Sequence, residues 1–398
     1  MHNAMRHDSC FILSIMKFYR PRHLGLLIIF LLPAMAQAQV MSTYGEASYP
    51  QTAKQNTSSL MGSGGLIGSG YNDGRDQSQL TGVQLNFKYM NMLDDNLLVK
   101  IEAGVQLEAG HSQIVYNDDY QNQQRFMLTE ASLKWNPIKE VDLKVGTLNQ
   151  PQNHSLLLLS EVSFPGLEQN AQVKLGNFQL GARGEQAVPT SAMYSPMMSQ
   201  SPGVPYFLSG QLNGGYATDA VKATAAVGVF EFGQLSPDVA QDSRFRGNTV
   251  TGLGSQGAQF VYNYQGVESM CQVAVPLGSA VTPRLSGSYV LNTAAPAGKN
   301  AGFLAVAGTE VKPGANIVLT PQFKVFRNES DSSPAYYNDR TIGHNNVRGF
   351  AAGLSAALPG SSLSFEAFWS SGSPINQNPY QSNFNIVTFK MVKSYALF

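Results

Sequence analysis

The most constraining stretch of this chain is residues 80 to 109, where two runs alternate between apolar and polar side chains on either side of a short acidic turn. In the first, Val83, Leu85, Phe87 and Tyr89 interleave with Gly82, Gln84, Asn86 and Lys88. In the second, Leu97, Val99, Ile101, Ala103, Val105 and Leu107 interleave with Leu98, Lys100, Glu102, Gly104, Gln106 and Glu108; Asp94, Asp95 and Asn96 separate the runs. A period of two with one apolar face predicts an antiparallel hairpin. Strands of soluble domains commonly stop at about five or six residues, whereas these run to about twelve. Strands of about ten residues suit a tilted crossing of a bilayer.

Composition supports a membrane setting without helices. The 398 residues carry 26 basic and 26 acidic side chains, so no charge excess points to a nucleic-acid partner. Charged residues make up 13% of the chain, low for a water-exposed surface. Only the N-terminal region approaches the roughly twenty apolar residues of a membrane helix. It reads as an export signal from Met16, with Lys17, Arg20 and Arg22, a short apolar core at residues 24–32, and Ala36-Gln37-Ala38 for cleavage. A retained anchor needs a longer apolar run. Residues 1–38 are therefore expected to be an upstream extension plus signal, and residues 39–398 one barrel domain. Cleavage would leave 22 basic and 25 acidic groups, a net charge of −3, with Cys271 alone and no intramolecular disulfide.

Residues 41–49 are expected to form the first strand, and residues 50–79, which include Gly62-Ser63-Gly64-Gly65, an outer loop. After the hairpin come strands at 125–135 and 141–148, the former with Met127, Thr129, Ala131, Leu133 and Trp135 in one phase. Further strands are expected at 171–176, 178–183, 207–217, 221–232, 257–275 with a bulge near 265–266, 284–291, 301–311, 315–327, 346–358, 363–370 and 383–398. The connections alternate between short turns and long polar stretches. The expected fold is all-β, a transmembrane antiparallel β-barrel of about sixteen strands, within a range of about 14 to 18, with short periplasmic turns and long outer loops.

Charge placement decides what such a wall encloses. Lys88, Lys100, Glu102, Glu108, Glu130, Lys134, Lys144, Lys222, Arg284, Lys324, Arg348 and Glu366 lie in the polar phases of these strands. Each Lys or Arg facing mid-bilayer lipid costs about 2 to 4 kcal/mol, and together they would exceed a domain's net stability. They are expected to face inward, onto water, which a barrel of this size has room to hold. Lys100, Glu102, Glu108, Arg125, Glu130, Lys134, Lys144, Arg348 and Glu366 are the candidate lining residues. The final strand ends at Phe398, with Val387, Phe389, Met391, Tyr395 and Leu397 in the more apolar phase, broken by Lys393.

With an export signal, this strand count and an aromatic C-terminus, the chain resembles the outer-membrane porins of Gram-negative bacteria in architecture. The resemblance implies a water-filled channel in the cell outer membrane for passive diffusion of small polar solutes and ions, with a third outer loop folded into the channel and a possible homotrimer. It also implies contact with outer-membrane lipid, lipopolysaccharide and the barrel-assembly machinery. Here the third outer loop is residues 150–169, with Glu161, Ser163-Phe164-Pro165-Gly166-Leu167 and Glu168 similar to the family's loop tip. It departs from the family in Leu156-Leu157-Leu158-Leu159, a run that either packs on the barrel wall or sets the loop elsewhere. Glu161 and Glu168 facing Lys100, Arg125, Lys134 or Lys144 would create a transverse field favouring polar solutes; otherwise they are solvated loop charges.

Signals for other functions are weak. His111, His154 and His344 read as surface histidines, with no spacing that specifies a catalytic triad. Gly252-Leu253-Gly254-Ser255-Gln256-Gly257 matches a dinucleotide fingerprint as a string, but no helical pattern follows, so it reads as a loop. Asp118 with Asp119, or Asp331 with Asp339, would hold a divalent ion or be solvated. No cofactor and no catalysis are expected. The alternatives are a non-conducting barrel, whether adhesin, structural protein or barrel enzyme, and a substrate-specific channel.

Overall fold

The computed structural model describes residues 58–397, apart from 115–117, 191–202 and 253. The expected export signal, the strand at 41–49 and Phe398 lie outside the described residues. The strands are β1 (Ser58–Asn72), β2 (Gln77–Asp94), β3 (Leu97–Ser112), β4 (Gln124–Ile138), β5 (Val141–Asn149), β6 (Ser163–Leu175), β7 (Phe178–Ala187), β8 (Tyr206–Ala217) and β9 (Lys222–Gly233). After α1 (Pro237–Phe245) comes a small ribbon, β10 (Val250–Thr251) with β11 (Gln259–Phe260), whose strands are connected through α2 (Gly254–Gly257). Then come β12 (Tyr264–Ala274), β13 (Val281–Asn292), β14 (Ala301–Gly314), β15 (Ile317–Asn328), β16 (Val347–Leu358), β17 (Leu363–Pro374) and β18 (Phe384–Ala396). Each barrel strand pairs antiparallel with the next, β9 pairs with β12 across the ribbon, and β18 pairs with β1, closing a sixteen-strand barrel. Closure satisfies every edge, which lipid would not.

The hairpin that constrains the sequence forms with its apolar phases matched, Val83, Leu85 and Phe87 lying opposite Leu107, Val105 and Ala103. These side chains are exposed on the outside of the wall, as are Leu128, Val145, Leu180, Val227, Phe303 and Trp369 further round. The opposite phase carries the polar side chains. Leaving aside each strand's first and last residue, the Asp, Glu, Lys and Arg side chains in the outward phase among the described residues are Glu231, Arg327, Arg348 and Lys393. An apolar exterior around a polar interior is the two-sidedness of a barrel in lipid.

Four expectations are corrected. The stretch expected as an outer loop at 50–79 contains β1 and the start of β2. Gly62, Gly64, Gly68 and Gly70 share the outward phase with Leu66, so β1 lacks the apolar alternation that marks other strands. In β4 the register slips between Glu102 opposite Glu130 and Ala103 opposite Leu128, leaving Thr129 as a bulge residue. Phe126 and Leu128 therefore face out, and Met127 does not share their side. The long strand expected at 257–275 is β11 and a separate β12, and β6 begins at Ser163 rather than after residue 169.

Turns of two to six residues join strands at one end of the barrel, which also holds the start of β1 and the end of β18. At the other end lie the tight turn at 73–76 and, of the longer connections, residues 113–114, 118–123, 150–162, 188–190, 203–205, 234–252, 254–263, 293–300, 329–346 and 375–383. With β1 in place, residues 150–162 remain the third connection at this end.

Candidate functional site

The connection at residues 150–162 turns into the barrel. It starts with a one-turn helix, Gln150–Gln152, whose Pro151 fixes the local φ. His154 then crosses to the wall: its Nδ1 lies 2.5 Å from Glu268 Oε1 on β12 and its Nε2 3.4 Å from Glu185 Oε2 on β7. The Ser155 amide donates to Glu268 Oε2 at 3.2 Å, Gln150 Nε2 to Glu185 Oε1 at 2.5 Å, and Asn153 Nδ2 to Glu168 Oε2 at 2.6 Å. Burial by itself would push the His154 pKa down, but Glu268 and Glu185 outweigh it and hold the imidazole up at about 9. It is an imidazolium at neutral pH, shared by two carboxylates.

Beyond this latch the leucine run is packed, not displayed. Leu157, Leu158 and Leu159 are fully buried in one apolar cluster with Phe164, Phe207, Phe232 and Tyr337. Leu157 reaches across to β14, where a Cβ on Gly302 would stand 3.5 Å from Leu157 Cδ1, at van der Waals contact. A second connection, residues 329–346, folds in beside the first. Ser333 Oγ donates to the Leu157 carbonyl at 2.6 Å, the Ser160 amide to the Tyr337 carbonyl at 2.7 Å, and the Asp339 amide to the Leu156 carbonyl at 3.0 Å. Buried asparagines tie this connection to its surroundings: Asn248 Nδ2 donates to the Ser330 carbonyl at 2.6 Å and Asn328 Nδ2 to the His344 carbonyl at 2.9 Å. Such groups, removed from water, must find protein partners.

Where the two connections meet, charges of both signs converge. Arg340 Nε lies 3.4 Å from Glu161 Oε2, and Arg340 Nη1 donates to the Asp119 carbonyl at 3.3 Å. The Asp119 carboxylate is held by Arg246 at 2.8 Å and by His344 Nε2 at 2.5 Å. Burial would raise the Asp119 pKa, but Arg246, His344 and Arg340 together hold it far below the usual carboxylate range. Arg340 also holds Glu161 below that range against the effect of burial, with help from Arg125 on β4 and Lys390 on β18. Glu161 in turn raises Arg340 further, aided by Glu108 on β3. Although ringed by protein, the Glu161 side chain is 60% exposed. Its backbone sits at φ 49°, a left-handed conformation that a non-glycine residue adopts at a cost of about 1 to 3 kcal/mol and that clusters at functional sites.

Of the residues singled out from the sequence, Glu108, Arg125 and Glu161 come together here. Lys100, Glu130, Lys144, Glu102 and Lys134 are inward but pair among themselves and with Asp142: Lys100 Nζ lies 2.7 Å from Glu130 Oε2, Lys144 Nζ 3.5 Å from Glu130 Oε1, Lys100 Nζ 3.9 Å from Glu102 Oε2, and Lys134 Nζ 3.6 Å from Asp142 Oδ2. Glu366 is inward on β17, opposite Lys390. Glu168 belongs to β6 rather than to the loop tip; it is buried beneath the loop, bonded to Asn153 and 3.9 Å from Arg183. Arg348 is corrected outright. Its neighbours in phase, Phe350 and Leu354, are exposed on the outer wall, while Val347 and Ala351 are buried, so Arg348 faces away from the interior.

The histidine expectation also changes. His111 is exposed, but His154 and His344 are buried against carboxylates because their connections fold into the barrel. Asp331 accepts from the Thr249 amide at 2.9 Å, Thr249 Oγ1 at 2.7 Å and Ser330 Oγ at 2.7 Å, while Asp339 accepts from Thr341, so each already has donors of its own. No group of three metal-ligating side chains occurs among the described residues. Sequence reading missed Arg340, Arg246, Glu185 and Glu268, which carry no local signature and reach the site only through long-range folding.

No protein-family model matches this sequence, and no curated protein is found as a relative. Solved structures do match by shape. The high-pH structure of Pseudomonas putida OprB superposes with a TM-score of 0.54 at 12% identity, covering 85% of this chain and 94% of that one. A loop L8 deletion mutant of OmpT, an outer membrane protein of Vibrio cholerae, superposes with a TM-score of 0.51 at 8% identity, covering 85% and 99%. At such identities the likeness concerns the fold.

Proposed function

We propose that this protein is an outer-membrane porin, a barrel that lets small polar solutes and ions diffuse passively through a narrowed, water-filled channel. The observation that carries the reading is the reversal of charge across one wall. Inward phases hold many Lys, Arg, Glu and Asp residues, outward phases almost none, and sixteen strands give a barrel wide enough for water. The constriction is assigned to the neighbourhood of Glu161 and Arg340, where charged side chains of both signs favour polar over apolar solutes. The fold it shares with an outer membrane protein supports this location. The proposal includes Lys100, Glu102, Glu108, Arg125, Glu130, Lys134, Lys144 and Glu366 as lining residues, with Glu161 at the constriction, and it assigns no catalytic step. Assembly as a homotrimer, insertion by the barrel-assembly machinery and contact with lipopolysaccharide belong to the same proposal, as does an upstream extension followed by an export signal from about Met16 within residues 1–38.

A second reading is a substrate-specific channel. It is favoured by the apolar cluster around Leu157, Leu158 and Leu159, which takes up space inside the barrel. Purified protein in planar bilayers tests both. Stepwise conductance that rises linearly with salt supports diffusion, conductance blocked saturably by one solute class supports the specific channel, and silence at high protein load removes both.

A further inference from the structure

Arg348, set aside by its orientation from the channel, lies directly opposite Arg327 on the outer wall. Both stand at the loop end of the barrel, Arg327 next to the last residue of β15 and Arg348 second in β16. Like charges opposed on neighbouring strands destabilise a sheet. Glu329 offsets Arg327, with Oε1 3.1 Å from Arg327 Nη2. Arg348 has no such carboxylate among the described residues, and it is exposed. Arg348 itself lines an open recess of about 560 Å³ that runs past Ser373 and Ser371 to Phe350, Val325 and Phe323. Phe350 stacks on Phe323 at 6.1 Å between ring centres and meets Trp369 edge to face at 5.3 Å, so the recess has a stiff aromatic floor.

We propose that Arg327 and Arg348 seat the phosphate of a membrane lipid whose acyl chain lies along Phe323, Val325 and Phe350. Arginine binds phosphate through paired, charge-assisted hydrogen bonds, and an apolar trough beneath two cations matches an amphipathic anion with its charged end at the rim. A second copy of this chain fits less well. Leaving aside strand ends, the one outward carboxylate among the described barrel residues is Glu231, which already accepts from Tyr206 OH at 2.8 Å. The inference rests on the membrane setting proposed above and is independent of conduction.

Native mass spectrometry of the full-length protein, with diphosphorylated lipid A as the probe, tests it. The unaltered protein is expected to retain one lipid A, and R327Q/R348Q to bind it at least about tenfold more weakly. R327K/R348K, which keeps the charge but loses the planar fork, is expected to fall between them. Phe350→Ala is expected to weaken lipid A without creating affinity for inorganic phosphate. Heat-dependent migration on a denaturing gel reports folding; if the double variant does not fold, R348Q alone is read the same way. Equal retention by the Gln variant overturns the proposal, as does displacement of lipid A by millimolar inorganic phosphate, which would make the pair a free-anion site. Single-channel conductance of R327Q/R348Q is expected to be unchanged, so failure of lipid binding and failure of the channel reading give separate signals.

Discussion

Removing the charge from His154 is the sharpest test of how the inner loop is held. The imidazole pKa stands at about 9 in the folded protein against 6.5 when free, a difference of about 3 kcal/mol at 1.36 kcal/mol per unit. Because the folded value is the higher, that stabilisation is complete below pH 6.5 and disappears as pH rises through about 9. His154→Gln removes the same charge at every pH and leaves Glu185 and Glu268 buried against each other, a loss of about 3 to 5 kcal/mol for a broken buried pair. Burying Leu157, Leu158 and Leu159 opposes undocking by roughly 5 to 9 kcal/mol. The leucines win, so the loop stays docked on average. Its undocked population rises by roughly two to four orders of magnitude, since each 1.36 kcal/mol is a factor of ten. Single-channel recording in planar bilayers is expected to show brief openings to a higher conductance level, rare at pH 7, frequent above pH 9, and frequent at pH 7 in His154→Gln. H154Q should also lose the pH dependence. A wild-type record as quiet at pH 10 as at pH 7, with H154Q indistinguishable from it, would refute both the ion-pair latch and its size.

The constriction charges should act with opposite signs. Glu161→Gln removes one of the carboxylates beside Arg340 and Arg125 and is expected to move the reversal potential in a salt gradient toward anions. Arg340→Gln should move it toward cations, and the double variant should return near the starting value; a charge about 5 Å from a passing ion in water is worth about 0.8 kcal/mol, a severalfold change in permeability ratio. Val227→Lys, at the middle of β9 on the outer face, should lower unfolding stability in lipid by about 2 to 4 kcal/mol, and a cost near zero would mean that this face meets water. Cys271 lies in the same phase as Val267 and Val273 on β12, so a lipid-soluble maleimide is expected to label it while a charged thiol reagent does not. Gly343→Ala should lower the melting temperature, because Gly343 has φ 81° and its new Cβ would stand 2.5 Å from the Phe384 ring; an unchanged melting point would mean that residues 329–346 do not pack on β18 as described.

The wall was legible from local order along the chain. Alternation along β2 and β3 fixes which side chains share a face, the cost of charge in lipid fixes which face is wet, and turn residues mark the short end, because each of these effects acts within a few residues along the chain. Where that local signal vanishes the reading failed: β1 presents glycines where other strands present leucines, and the bulge at Thr129 inverts the phase of Phe126 without changing any residue type. The interior needed tertiary structure. His154 meets Glu268 across 114 positions and Arg246 meets Asp119 across 127, distances at which no period or spacing carries information. The four leucines looked out of place in an open lumen because nothing nearby in sequence shows what covers them; Phe207, Phe232 and Tyr337 do, brought there by the closing of the barrel. Arg348 teaches the same lesson in reverse: its charge argued for the inside, and the pairing of β15 with β16 set it outside.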